Sequence, residues 1–182
     1  MTMVSYLALA AVAFASDARD HLLLTEKPGH ATEGIVVVDA SPSEVYALVT
    51  DYASWPSIFR DVSSVEQLGG GRREASVRFT SRAIGRTVTV KFDNVADRLI
   101  RFHGTKGPPG GVSSGSYQLT PIDNGTRTLV HARLYMNVTG VPGMFISDAK
   151  IRSMRQTKLR SDMNDVIRRF PSHQTSPQAP RP

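Results

Sequence analysis

The sequence predicts an α+β fold: a curved antiparallel sheet of about seven strands wrapped around one long C-terminal helix, with two short helices after the first strand. Three observations carry this. A β-branched run, Ile35-Val36-Val37-Val38, stops at Asp39 and leads into a strongly marked helix start at Ser41-Pro42-Ser43-Glu44. From Val62 to Val138 apolar residues recur with period two, broken by turn residues. From about Phe145 to Phe170 the period becomes helical, and Pro171 stops it. An antiparallel sheet of this size buries its inner face only by curling, and the last helix is the one remaining apolar element long enough to cover it.

Residues 1–15 carry no charged side chain, and Ala13-Phe14-Ala15 before Ser16 fits the small-x-small pattern of a cleaved export signal. No Lys or Arg precedes the apolar run. The stretch reads as a signal peptide and predicts a bacterial periplasmic or extracellular protein. The alternative is a packed N-terminal helix in a cytoplasmic one. Residues 16–30 are polar and mixed, with a turn at Lys27-Pro28-Gly29. They read as a leader holding at most a short strand or helix at His21 to Thr25, and the domain proper spans residues 31–170.

Within it, Ser41 caps the first helix, Pro42 takes its first position, and Glu44 closes a capping box. Val45, Leu48 and Val49 form its buried stripe. Trp55-Pro56-Ser57-Ile58-Phe59 fits a second short helix, with Trp55 and Phe59 one turn apart. Ala75, Val77 and Phe79, then Val88, Val90 and Phe92, alternate with polar residues around a turn at Ala83 to Arg86. Leu99 to Gly104 is a further strand, and Lys106 to Gly111 a loop by composition. Asp123-Asn124-Gly125 joins Val112–Pro121 to Thr126–Val138 as a hairpin. Gly140-Val141-Pro142-Gly143 ends the sheet. In the long helix Ile151, Met154, Leu159, Met163, Val166, Ile167 and Phe170 keep the helical period. Lys150, Arg152, Arg155, Lys158, Arg160, Arg168 and Arg169, partly neutralised by Asp148, Asp162 and Asp165, read as solvated faces. Residues 171–182 are Pro-rich and polar and predict a disordered tail.

The 182 residues, 40% hydrophobic and 21% charged, suit one globular domain. No segment approaches the roughly 20 apolar residues of a membrane span. The absence of cysteine excludes disulfides, thiolate metal sites and cysteine nucleophiles. The five His show no metal-binding spacing, and no cofactor motif occurs. A net charge of +6 permits peripheral contact with an anionic membrane, but no aromatic and basic residues interleave as in nucleic-acid binders.

Val36-Val37-Val38, Ala40-Ser41-Pro42, Glu44-Val45-Tyr46, Thr50-Asp51-Tyr52 and Trp55-Pro56, followed by the strand-rich middle and the long last helix, resemble the START-related helix-grip proteins. This superfamily (SRPBCC) is grouped with the polyketide cyclases/dehydrases and the coenzyme Q-binding protein. The resemblance covers about Ala31 to Phe170. It implies a deep cavity between sheet and last helix that holds a lipid, sterol, quinone, polyketide or plant hormone. It also implies that the Lys106–Gly111 loop gates the cavity.

Trp55, Phe59, Phe79, Phe92, Phe102, Tyr117, Leu119, Phe145, Met154 and Met163 are the expected cavity walls, since apolar lining with a few polar groups makes the usual ligand site. His103, His131, Arg133 and Tyr135 are the expected acid/base or anion-binding set. Alternation, however, points His131, Arg133 and Tyr135 away from the apolar face of their strand, and invites the same caution for His103. Binding or carriage of a hydrophobic small molecule is therefore the expected function. A cyclase or dehydratase using His or Arg is the alternative, and a ligand-free partner-binding domain is the third.

Overall fold

The computed structural model describes residues 22–28, 31–106, 111–138 and 146–171. Eight strands form one antiparallel sheet: β1 (Leu23–Lys27), β2 (Ala31–Val38), β3 (Val62–Gly70), β4 (Glu74–Ser81), β5 (Arg86–Val95), β6 (Leu99–Lys106), β7 (Gly111–Ile122) and β8 (Arg127–Val138). Their order across the sheet is β1-β2-β8-β7-β6-β5-β4-β3. Two short helices, α1 (Pro42–Thr50) and α2 (Trp55–Ile58), link β2 to β3, and the long helix α3 (Asp148–Ile167) lies in the curve of the sheet. This is the helix-grip fold.

Local chemistry sets α1 as expected. The Ser41 Oγ accepts from the Glu44 N–H at 3.4 Å and the Glu44 carboxylate accepts from the Ser41 N–H at 2.8 Å, satisfying two otherwise unpaired donors. The indole Nε1 of Trp55 donates to the Val49 carbonyl at 2.9 Å and fastens α2 to the end of α1. Val36, Val45, Ile100, Leu159 and Val166 meet in the core, each 2% exposed or less.

The strand beyond the expected seven is β1, inside the segment expected to be a leader. Leu24 pairs with Gly34 and Glu26 with Thr32, so β1 is an edge strand of the sheet. Its inward residues, Leu24 and Glu26, alternate with exposed Leu23, Thr25 and Lys27, a pattern in which a carboxylate stands where an apolar residue would have announced a strand. The opposite edge is β3, where the register with β4 shifts between Val62 and Ser64 and again between Gln67 and Gly69.

The charged residues of α3 depart most from expectation. Arg155 is 2% exposed, Asp165 1% and Asp162 8%, whereas all three read as solvated. The sheet encloses the helix on more than one side, so its flanks are interior and the charges there are paired. Arg155 donates to Thr32 Oγ1 at 3.1 Å and to Glu26 Oε2 at 2.7 Å, while Gln156 donates to Glu26 Oε1 at 3.1 Å. These bonds fasten α3 to β1 and β2. Asp165 accepts from the Arg60 backbone N–H at 2.8 Å and from Arg60 Nε at 2.9 Å, and also pairs with Arg168, fastening the far end of α3 to the turn after α2. Gly34 lets the helix come close: a Cβ there would stand 3.1 Å from a Leu159 methyl.

Residues 1–15, the Pro-rich segment after Pro171, the glycine-rich part of the Lys106–Gly111 loop, Gly140–Gly143 and Phe145 lie outside the described residues.

Candidate functional site

Where α3 stands away from the inner face of β4 to β8, a cavity of about 810 Å³ remains. Trp55, Phe59, Phe79, Phe92, Phe102, Tyr117 and Met154 line it. Leu119 and Met163 do not. They border a separate void of about 10 Å³ together with Val45, Ile100 and Val166, because further along the helix α1 closes over the sheet and fills the space.

The aromatic residues form a continuous wall. Tyr117 stacks on Phe102 with ring centroids 5.7 Å apart, Phe102 tilts against Phe92 at 6.2 Å, and Trp55 meets Phe92 edge-on at 5.6 Å and Phe79 at 5.7 Å. Such pairs hold one another in defined orientations. Gly115 is required beneath this wall, since a Cβ on it would lie 2.6 Å from the Phe102 ring. Only a residue without a side chain lets Phe102 lie across β7 beside Tyr117.

The four residues expected to supply acid/base chemistry face away from the cavity. His131, Arg133 and Tyr135 alternate on β8 with Val130, Ala132 and Leu134, which are buried on the inner face. Arg133 bonds to Glu33 of β2 and, at 3.4 Å, to the Tyr135 hydroxyl, and His131 Nε2 stands 3.5 Å from Glu33. His103 is exposed on the outer side of β6, where a shallow depression also contains Lys91, Asp93 and Arg101. Strand alternation decides all four.

Other ionisable groups do reach the cavity. Lys158 Nζ lies 2.6 Å from Asp162 Oδ1, and the Tyr117 hydroxyl donates to Asp162 Oδ2 at 3.4 Å. Asp61, held by the Ser81 hydroxyl at 2.9 Å and the Ala83 N–H at 2.8 Å, stands 3.8 Å from the Lys158 amine. The Lys158 side chain is 33% accessible and lines the cavity. Burial raises the pKa of Asp162, against the opposing pull of the Lys158 charge. Burial, and then Asp162, push the Tyr117 phenol well above its ordinary value. Burial works against the Lys158 ammonium, but Asp162, Asp61 and Asp165 outweigh it and the net shift is upward. At neutral pH the cavity thus contains a charged amine and a neutral phenol. Its lining includes the exposed residues Arg60, Arg82, Ile84 and Lys150.

Asp61, Lys158 and Asp162 were not among the residues predicted for the site. One signal could have found two of them. Met154 belongs to the predicted wall, and Lys158 and Asp162 follow it at steps of four, on the same side of the helix.

A family model described as polyketide cyclase / dehydrase and lipid transport matches residues 30–170. Solved structures share the fold. The aromatase/cyclase ZhuI from Streptomyces sp. R1128 is 22% identical with a TM-score of 0.63, the match covering 82% of this chain and 94% of that one. A START superfamily protein from Mycobacterium smegmatis is 16% identical with a TM-score of 0.66, covering 78% and 97%. The di-domain aromatase/cyclase BexL from the BE-7585A biosynthetic pathway is 18% identical with a TM-score of 0.63, covering 80% of this chain and 52% of its own. No curated protein matches the sequence.

Proposed function

The chain belongs to the polyketide cyclase/dehydrase and lipid transport family, and from that premise we propose that it binds or carries a hydrophobic small molecule in the cavity beside α3. The supporting observation is the cavity itself: about 810 Å³, walled by five interlocking aromatic rings. Small-molecule sites span roughly 300–1,000 Å³ and have this apolar character. Removing about 300 Å² of a ligand's apolar surface from water here would contribute about 7.5 kcal/mol before the costs of association.

The chain carries its own reporter. Trp55 is its single tryptophan, and it lines the cavity. Titration with a fatty acid, a quinone and a polycyclic ketone should change Trp55 emission saturably for at least one of them. Native mass spectrometry after gentle purification should show the same ligand class bound. If no compound of the panel alters the emission and nothing copurifies, the binding reading fails.

A second reading is cyclisation or dehydration of a polyketide-like substrate. With His103, His131, Arg133 and Tyr135 turned outward, its support is the acid–base pair of Lys158 and Asp162 beside the Tyr117 hydroxyl. Turnover of a β-hydroxyketone probe by wild type, lost in D162N, would establish it; an unchanged probe would remove it.

A further inference from the structure

We propose that Lys158, Asp162 and Tyr117 form an oxygen-recognition site that selects aromatic ring ligands bearing a carbonyl or phenolic oxygen over plain hydrocarbons. This rests on the cavity-binding reading above and adds to it the class of ligand.

An ammonium has three N–H bonds and no acceptor. Lys158 directs one to Asp162 at 2.6 Å, and the nearest atom of Asp61 is 3.8 Å away, too far for a hydrogen bond. At least one N–H has no partner in Asp162 or Asp61, and the side chain, a third accessible, lines the cavity. An apolar ligand seated there would strip water from that N–H and leave it without a partner. A ligand oxygen would replace the water.

Asp162 fixes the donor. It is 8% exposed and held by Lys158 on one carboxylate oxygen and by the Tyr117 hydroxyl on the other. The Tyr117 bond, at 3.4 Å, is long enough that the hydroxyl can turn to a ligand oxygen instead. The aromatic wall supplies the other half of the selection. It ends at Tyr117, whose ring stacks on Phe102, so a flat ligand lying along Phe92 and Phe102 brings its rim to the phenol and the amine together. The same ammonium favours the ionised form of a phenol placed against it.

The test uses three probes of one shape: naphthalene, 2-naphthol and 1-tetralone, each titrated into the full chain and followed by Trp55 emission. Wild type should bind 2-naphthol and 1-tetralone about tenfold or more tighter than naphthalene, the scale of one hydrogen bond to a charged donor. K158M should bring all three together, weakening 2-naphthol and 1-tetralone and tightening naphthalene, which no longer strands an N–H. Y117F, which keeps the ring and the ion pair, should narrow the gap only in part. Absorbance of bound 2-naphthol should show a lowered phenol pKa in wild type and not in K158M. Equal binding of the three probes by wild type would overturn the proposal, as would a preference that survives K158M in a folded protein. Absence of binding by all three would overturn the cavity-binding reading, and the oxygen site with it.

Discussion

The two flanks of α3 bury cations of opposite purpose. On one flank Arg155, 2% exposed, meets Glu26 and Thr32, and Gln156 joins it on Glu26. On the other, three residues along the same helix, Lys158 meets Asp162 and still faces a cavity. Both cations keep an N–H without a partner among the described residues, but Arg155 Nη1 is sealed in while Lys158 lines a cavity, so the guanidinium makes a strut and the ammonium a receptor. Charge inside a fold is therefore no guide to role until the space beside it is known.

The difference can be broken by substitution. Arg155→Ala should cost the most, about 3 kcal/mol in denaturant unfolding, since it empties a nearly inaccessible site and takes the cation from Glu26, which keeps only Thr32 and Gln156 among the described residues. A loss below about 1 kcal/mol would show that the strut is incidental. Lys158→Met should cost less, about 1 kcal/mol, because the amine is a third accessible and the Asp162 left behind, pushed toward protonation by burial, can be neutralised. Its larger effect should be on ligand choice, read from Trp55 emission. A melt in which it matched Arg155→Ala would erase the distinction between the flanks.

Acid sharpens the comparison with a smaller effect, because the two flanks respond with opposite sign. Burial raises the pKa of Glu26, but hydrogen bonds from Thr32, Arg155 and Gln156 outweigh it and the net value lies below the ordinary 4.5. A depressed carboxylate stabilises the fold above its unfolded pKa, and that contribution is lost as pH falls below 4.5 and through the folded value. Asp162 is shifted upward from 3.8, chiefly by burial. Its contribution is fully present below 3.8 and is lost as pH rises through the folded value. Unfolding curves taken across this range should show less acid loss in Arg155→Ala than in wild type. In Asp162→Asn the gain on approaching pH 3.8 should disappear. Parallel curves for all three proteins would refute the opposition.

How far the sequence reaches follows from the same contrast. The β2–α1–α2 segment was legible because each signal there is local: β-branching, a serine cap answered by Glu44, a proline at the first helical turn, a tryptophan one turn from Phe59. The inward aromatic residues of β4 to β7 were legible from alternation, which also turned His131, Arg133 and Tyr135 outward. Leu119 shares a strand face with Tyr117, and nothing in spacing says where α1 closes the space above it; Met163, nine residues from Met154, stands on the opposite side of the helix. Arg155, Lys158 and Asp162 were misplaced because a charged helical residue is ordinarily assigned to water. That inference fails for a helix enclosed by a sheet, where polar flanks meet paired partners. β1 was expected only as a short strand or helix at His21 to Thr25 and not counted in the sheet, because its inward Glu26, which pairs with Arg155, breaks the apolar alternation.

The shifted register of β3 bears on how copies of the chain meet. An outermost strand offers a row of free amide and carbonyl groups on which a neighbour can zip. The two breaks, at Val62/Ser64 and Gln67/Gly69, throw those groups out of line along an exposed stretch that contains Leu68. A straight strand of the same composition would be an adhesive seam. The irregular one works against edge-to-edge stacking of one copy upon the next.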